Sequence, residues 1–120
     1  MSSSIQAILF KFSLYFTLTA ITILAFLPDY DALPPIVSFS DLLNHTIAFL
    51  TLYLLMHLAY PKLQAIHITA FLLMYGFFIE LVQYFLPTRF ASWSDVAADS
   101  VGLVLGFIII SIYSRTKQTK

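Results

Sequence analysis

The chain has 120 residues, of which 60% are hydrophobic and 10% are charged, and its formal net charge is zero. Soluble domains have about a quarter charged residues and nucleic-acid-binding domains carry a basic patch, so the composition predicts an integral membrane protein and excludes a nucleic-acid partner. The absence of cysteine also excludes disulfide and thiol chemistry.

Four apolar segments are long enough to cross a bilayer, for which a helix needs about 20 mostly apolar residues. They span residues 11–27, 42–60, 63–86 and 96–113. All five prolines lie at or between the boundaries of these segments, where a missing N–H damages a helix least. We therefore predict an all-α fold, a four-helix transmembrane bundle, with residues 1–120 forming a single domain. The second connection is predicted to be a tight turn at Pro61-Lys62.

The first segment has no A-x-A-like cleavage site before Pro28, so we expect a retained helix rather than a removed signal peptide. Basic residues then predict the orientation of the bundle, because they are enriched in cytoplasmic flanks. One side of the membrane receives Lys11, Lys62, Arg115, Lys117 and Lys120, and the other side receives only Arg89. We expect both termini in the cytoplasm and the first and third loops outside, in a multi-pass protein of the cell membrane.

The second segment begins with Asp41 and His45, which are four residues apart and therefore share a helix face. A carboxylate one turn away can orient an imidazole for acid–base chemistry or ligand binding. The alternative is an interface histidine with a satisfied hydrogen bond and no further role. His57 and His67 lie towards the predicted cytoplasmic end, and we assign them no chemistry.

The third segment carries Glu80 and Gln83 one turn apart near its end, and a turn containing Arg89 follows. Ionisable side chains are costly at membrane depth, so Glu80 is by default a functional candidate. The structural alternative is a Glu80–Arg89 ion pair that only holds the loop against the bundle.

On the fourth segment, a rotation of about 100° per residue collects Asp95, Asp99, Gly102 and Gly106 into one stripe. The Gly102-x-x-x-Gly106 pair predicts close packing against a neighbouring helix. Asp95, or the preceding Ser94, could be a helix N-cap without any function. Asp99 lies a turn deeper, where a carboxylate needs a partner, a proton or water.

These polar side chains are predicted to meet at the outer end of the bundle and to bind a ligand there. The set consists of Asp41, His45, Glu80, Gln83, Arg89, Asp95 and Asp99. Carboxylates and histidine can ligate metals, but H-E-x-x-H and similar compact motifs are absent, so the sequence indicates neither a metal nor another cofactor. Tyr84, Phe85, Phe90 and Trp93 bracket this end as an interfacial aromatic belt would.

The order and spacing of these residues resemble the VanZ-like family of small bacterial membrane proteins. The resemblance covers about residues 41–106 and rests on Asp41-x-x-x-His45, Glu80-x-x-Gln83, Pro87-x-Arg89 and Asp95-x-x-x-Asp99-x-x-Gly102-x-x-x-Gly106. It implies a protein of the bacterial inner membrane with a shared polar site and an envelope role, such as tolerance of the glycopeptide teicoplanin. The family usually has Lys shortly after the position of Asp41 and Asn at that of Asp99, so this cluster is more acidic.

Three functions fit this pattern, and whether the chain is an enzyme stays open. The first, which we favour, is an outward-facing pocket between helices two, three and four that binds a membrane lipid headgroup or a lipid-linked cell-wall precursor. The second is a metal-assisted hydrolase or transferase acting on a lipid-linked phosphate or sugar, with Glu80, His45 and Asp99 as catalytic candidates. In the third, a structural scaffold, the polar residues only satisfy helix ends and set the register. The sequence does not predict an oligomeric state.

Overall fold

A computed structural model of the chain describes residues 3–26, 41–86 and 93–118. These residues form four helices and no strand. The helices are α1 (Ser3–Phe26), α2 (Asp41–Ala59), α3 (Ala65–Tyr84) and α4 (Trp93–Gln118). Each is long and apolar enough to cross a membrane, which confirms the predicted all-α transmembrane bundle.

Two helices are longer than the apolar pattern predicted. Helix α1 begins at Ser3 rather than Lys11, and α4 extends from Trp93 to Gln118, beyond both predicted ends. The residues added to α4 are mostly polar, and backbone hydrogen bonds continue a helix through polar ends. The residues added to α1 include the apolar Ile5, Ile8, Leu9 and Phe10, so the predicted start at Lys11 was too late. Between α2 and α3 the chain makes the predicted tight turn, in which the backbone N–H of Leu63 donates to the carbonyl of Tyr60 over 3.0 Å.

Helix α2 lies at the centre of the bundle. It packs most extensively against α4, next against α1, and also contacts α3. Its buried side chains recur with the three- and four-residue spacing of one helix face. The apolar core contains Phe49, Leu52, Tyr53, Met56 and Ala59 of α2, with Leu14 of α1, Ile68 and Leu72 of α3, and Leu103 of α4. Many large apolar side chains on the outer faces are exposed, as expected for helices surrounded by lipid.

Helices α2 and α4 approach closely because two glycines of α4 face α2. A Cβ added to Gly102 would contact the carbonyl oxygen of Thr46 and lie 2.9 Å from the backbone nitrogen of Leu50. At Gly106 the added Cβ would lie 2.8 Å from the Cβ of Tyr53. The two helices therefore run in parallel, and their first turns lie at the same end of the bundle.

Candidate functional site

The ends of three helices bring four ionisable side chains together. Helices α2 and α4 begin at this end, and α3 ends there. The side chains are His45 of α2, Glu80 of α3, and Asp95 and Asp99 of α4, and we call them the His45 cluster. All three carboxylate residues are buried, with exposures of 8% for Glu80, 9% for Asp95 and 1% for Asp99.

Asp99 holds the imidazole of His45. The distance from His45 Nδ1 to Asp99 Oδ1 is 2.6 Å, which is slightly shorter than the range of about 2.7–2.9 Å usual for charged N–H···O hydrogen bonds. In the neutral ring, with Nδ1 as the donor, the other ring nitrogen, Nε2, is an acceptor. This nitrogen lies 4.0 Å from Asp95 Oδ2. The ring is therefore oriented by one aspartate and faces a second.

Asp95 lies in the first turn of α4 and not at its N-cap position. The helix already begins at Trp93, so both Ser94 and Asp95 lie within its first turn, and the N-cap interpretation of these residues is wrong. The negative charge of Asp95 still interacts favourably with the positive end of the α4 dipole. Burial beside His45 distinguishes Asp95 from other acidic residues in a first helix turn, all of which interact with the dipole.

Glu80 completes the cluster from α3. One side-chain atom of each residue, a ring nitrogen of His45 and a carboxylate oxygen of Glu80 and of Asp95, lies within 4.8 Å of the other two. One turn deeper on the same face, Gly76 leaves room for Asp99, because a Cβ added there would lie 2.7 Å from Asp99 Oδ2. That oxygen is buried and has no hydrogen-bond partner among the described residues. Gly76 was not singled out in the sequence, although its spacing of four residues from Glu80 places it on the same helix face.

Gln83 is buried but interacts with α1. Its Nε2 donates to the backbone carbonyl of Ala25 over 2.9 Å, near the end of α1. Its Oε1 is also buried and has no hydrogen-bond partner within the part of the chain that the structure describes. The structure thus connects Gln83 to the first helix, while a role in ligand binding stays a prediction.

Two further predicted residues, Asp41 and Arg89, lie partly or wholly outside the described part of the chain. The side chain of Asp41 and the whole of Arg89 lie outside the described residues, and with them the predicted Asp41–His45 and Glu80–Arg89 contacts.

Thr46, which sequence analysis did not select, donates its hydroxyl to the carbonyls of Leu42 and Ala98 over 2.9 and 3.2 Å. A threonine within an apolar helix carries no signal that distinguishes such a contact between helices.

The described basic side chains lie at the opposite end of the bundle. Lys11 Nζ lies 5.1 Å from the centre of the Tyr60 ring, beside the turn that joins α2 to α3. A cavity of about 330 Å³ also lies at that end. It is lined by Tyr53, His57, Leu63, Ala65, Ile68, Phe107, Ile110, Ser111, Ser114 and Arg115, and so by no member of the His45 cluster. The two ends therefore differ in charge, with described carboxylates at one and described lysine and arginine at the other.

Exposed aromatic side chains surround the end that carries the His45 cluster. Tyr84, Phe85 and Trp93 are among the most exposed large side chains of the molecule. Such residues favour the boundary between the headgroups and the hydrocarbon of a bilayer. Asp99 lies six residues after Trp93 and hence about 9 Å deeper along α4, at 1.5 Å per residue. The cluster is thus within reach of the headgroup region but below the ring of aromatic residues.

The comparisons with known proteins identify a family. A family model described as VanZ/LLP1 matches residues 2–114. Comparison with curated proteins gives no match, and comparison with solved structures gives none either. The matched region covers α1, α2, α3, most of α4 and every member of the His45 cluster. The chain therefore belongs to the VanZ/LLP1 family of membrane-type proteins.

Proposed function

We propose that this VanZ-like protein binds the polar headgroup of a membrane lipid or of a lipid-linked cell-wall precursor at the His45 cluster. The observation that carries the proposal is the convergence of four ionisable side chains from three helices at one end of the bundle. A polar molecule held there would have its apolar tail alongside the lipid-facing helices. The proposed location is the outer leaflet of the bacterial cell membrane.

The cost of burial argues against a purely structural role. Moving a charged group out of water costs several kcal/mol even in real proteins, and apolar replacements of buried ion pairs are often more stable. The register of α2 and α4 is already set by Gly102 and Gly106, which pack against backbone and aromatic atoms of α2. The charges are therefore poorly explained as packing devices, and a bound polar ligand would account for them.

The composition of the cluster favours a ligand rich in hydrogen-bond donors. Carboxylates accept hydrogen bonds from hydroxyls, amides and ammonium groups, which occur in lipid headgroups and in cell-wall precursors. Arg89 follows Glu80 by nine residues and is the proposed contact for an anionic group, such as a phosphate. Asp41, His45, Gln83 and Asp99 are the proposed partners of hydroxyls or amides.

A second candidate function is the hydrolysis or transfer of a lipid-linked phosphate or sugar. The His45–Asp99 hydrogen bond favours it, since a carboxylate that orients a histidine is a recurring arrangement in acid–base catalysis. In this function His45 or Glu80 would be the general base. Purified protein that binds a lipid-linked precursor without converting it would reject the enzyme and leave the binding function in place.

The proposed function is tested by native mass spectrometry of the purified, detergent-solubilised protein. We expect the wild type to retain a lipid or precursor that Glu80→Gln largely loses, because a hydrogen bond to a charged group contributes about 1.5–3 kcal/mol, or about tenfold to a hundredfold in affinity. Ser100→Ala is the matched control, since Ser100 donates to the carbonyl of Val96 in its own helix.

The variants must also unfold at temperatures close to that of the wild type, which separates loss of ligand from loss of fold. Equal retention by wild type, Glu80→Gln and Ser100→Ala would reject the headgroup site and favour a structural scaffold. A ligand identified in this way could then be related to teicoplanin tolerance, the envelope role that we propose for this member by resemblance.

A further inference from the structure

We infer that His45, Glu80 and Asp95 bind a divalent transition-metal ion, with Asp99 holding the histidine in its ligating orientation. The inference rests on the proposed function, since it assigns a cation to the same cluster and makes that cation the contact for an anionic headgroup. Metal binding and headgroup binding are nevertheless separate measurements, and either can fail alone.

The three donor atoms are already close enough to enclose one ion. They lie within 4.8 Å of one another, and the pair formed by His45 Nε2 and Asp95 Oδ2 is separated by 4.0 Å. Two ligands of a tetrahedral Zn²⁺ ion, each at about 2.1 Å from the metal, are about 3.4 Å apart. Small changes in side-chain rotamers are therefore sufficient to bring the three ligand atoms to bonding distance from one ion.

The contact between Asp99 and His45 is the second observation that indicates a metal. A metal-ligating histidine usually donates its other ring N–H to a carboxylate or carbonyl, which fixes the tautomer and the direction of the ligating nitrogen. Here Asp99 Oδ1 lies 2.6 Å from Nδ1, and this leaves Nε2 on the side of Asp95. Asp99 is 1% exposed, and its Oδ2 is buried with no hydrogen bond to any described residue. A carboxylate held this deeply is well suited to position a ligand.

The chemistry of the ligand set supports the same inference. His45 offers one nitrogen, and Glu80 and Asp95 offer one oxygen each, from three different helices. One nitrogen and two oxygen donors suit Zn²⁺ or Mn²⁺, whereas Mg²⁺ and Ca²⁺ prefer sites made only of oxygen.

The test uses Zn²⁺ as the probe and the full-length protein in detergent. Chelator-treated protein is titrated with Zn²⁺ by equilibrium dialysis, and bound metal is counted by elemental analysis. We expect saturation at about one ion per chain, as for a single closed set of ligands. Asp99→Asn should weaken binding by about tenfold to a hundredfold, and His45→Ala, Glu80→Gln and Asp95→Asn should weaken it at least as much.

His67→Ala is the matched control, because this exposed histidine of α3 lies about 20 Å from Glu80 along the helix axis. X-ray absorption of the Zn²⁺-loaded wild type provides a readout that needs no variant. It should show a single imidazole among oxygen donors, whereas two or more imidazoles would contradict the proposed ligand set.

Failure of the wild type to bind Zn²⁺ saturably, or equal binding by all cluster variants, overturns the metal site. If the wild type does not bind Zn²⁺ saturably but still retains its headgroup ligand, the metal site is rejected and the proposed function stands. If Zn²⁺ binds as expected but no headgroup is retained, the metal site stands and the proposed function is rejected.

Discussion

At the scale of single residues, the most informative contact is the hydrogen bond between His45 and Asp99. It joins two helices inside the bundle and determines which ring nitrogen of His45 is available to the rest of the cluster. It also explains why Asp99 can be almost completely buried, since one of its oxygens has a partner that can carry positive charge. The same bond thus contributes to the packing of α2 against α4 and orients the His45 ring within the cluster.

We predict that the contributions of His45 and Asp99 to the free energy of unfolding are coupled. In a double-mutant cycle with His45→Ala and Asp99→Ala, the interaction energy should be about 0.5–3 kcal/mol, as for other contacting residues. Each single variant leaves the other side chain buried without its partner, so the second substitution should cost less than the first. The measurement is the free energy of unfolding in mixed detergent micelles. Additive effects of the two substitutions would show that the residues do not interact.

At the scale of helices, α4 determines how the site is assembled. Its 26 residues extend about 39 Å, which exceeds the roughly 30 Å of hydrocarbon in a bilayer. One face carries Asp95 and Asp99 near the start of the helix and the two glycines that contact α2 further along. Close packing at the glycines therefore brings the aspartates within reach of His45.

Gly102→Ala should lower the free energy of unfolding and also move Asp95 and Asp99 away from His45. The added methyl group would meet backbone atoms of α2, which cannot rotate away, and overpacking of this kind costs about 1–3 kcal/mol. The higher helix propensity of alanine offsets about 1 kcal/mol of that cost. Val104→Leu, at a lipid-exposed position of the same helix, is the control and should change the free energy of unfolding by less than about 0.5 kcal/mol. A Gly102→Ala variant more stable than the wild type by about 1 kcal/mol, the full gain in helix propensity, would show that the two helices are further apart than described.

Helix formation could be predicted from the sequence, but the site could be predicted only in part. Long apolar segments separated by prolines are sufficient to predict four spanning helices, because lipid leaves the backbone few other conformations. Periodicity also placed Asp95 and Asp99 on one face of α4. It could not show that Asp99 contacts His45, which is 54 residues away, since that distance depends on how two helices pack. The three metal-ligand candidates come from three helices and therefore form no local motif.

At the scale of the whole molecule, the two ends of the bundle differ in chemistry. One end carries the His45 cluster and exposed aromatic side chains, and the other carries the described lysines and arginine. Because basic residues are enriched on the cytoplasmic side, this asymmetry favours an orientation with the His45 cluster outside. The proposed outer-leaflet ligand depends on that orientation.

The orientation can be measured with single introduced cysteines, since the natural chain has none. We predict that Ser94→Cys reacts with a membrane-impermeant maleimide in intact cells. Ser4→Cys and Thr116→Cys should react only after the membrane is permeabilised. All three side chains are exposed, so differences in burial do not confuse the comparison. The opposite pattern would place the His45 cluster on the cytoplasmic side and reject an outer-leaflet ligand.

The amount of polar lipid that stays bound through purification is the most direct measure of whether the His45 cluster is a binding site. Native mass spectrometry compares this amount between the wild type, Glu80→Gln and Ser100→Ala at matched thermal stability. We predict that Glu80→Gln retains about a tenth of the wild-type ligand or less, and that Ser100→Ala retains all of it. Equal retention by all three proteins would contradict a binding function for the cluster.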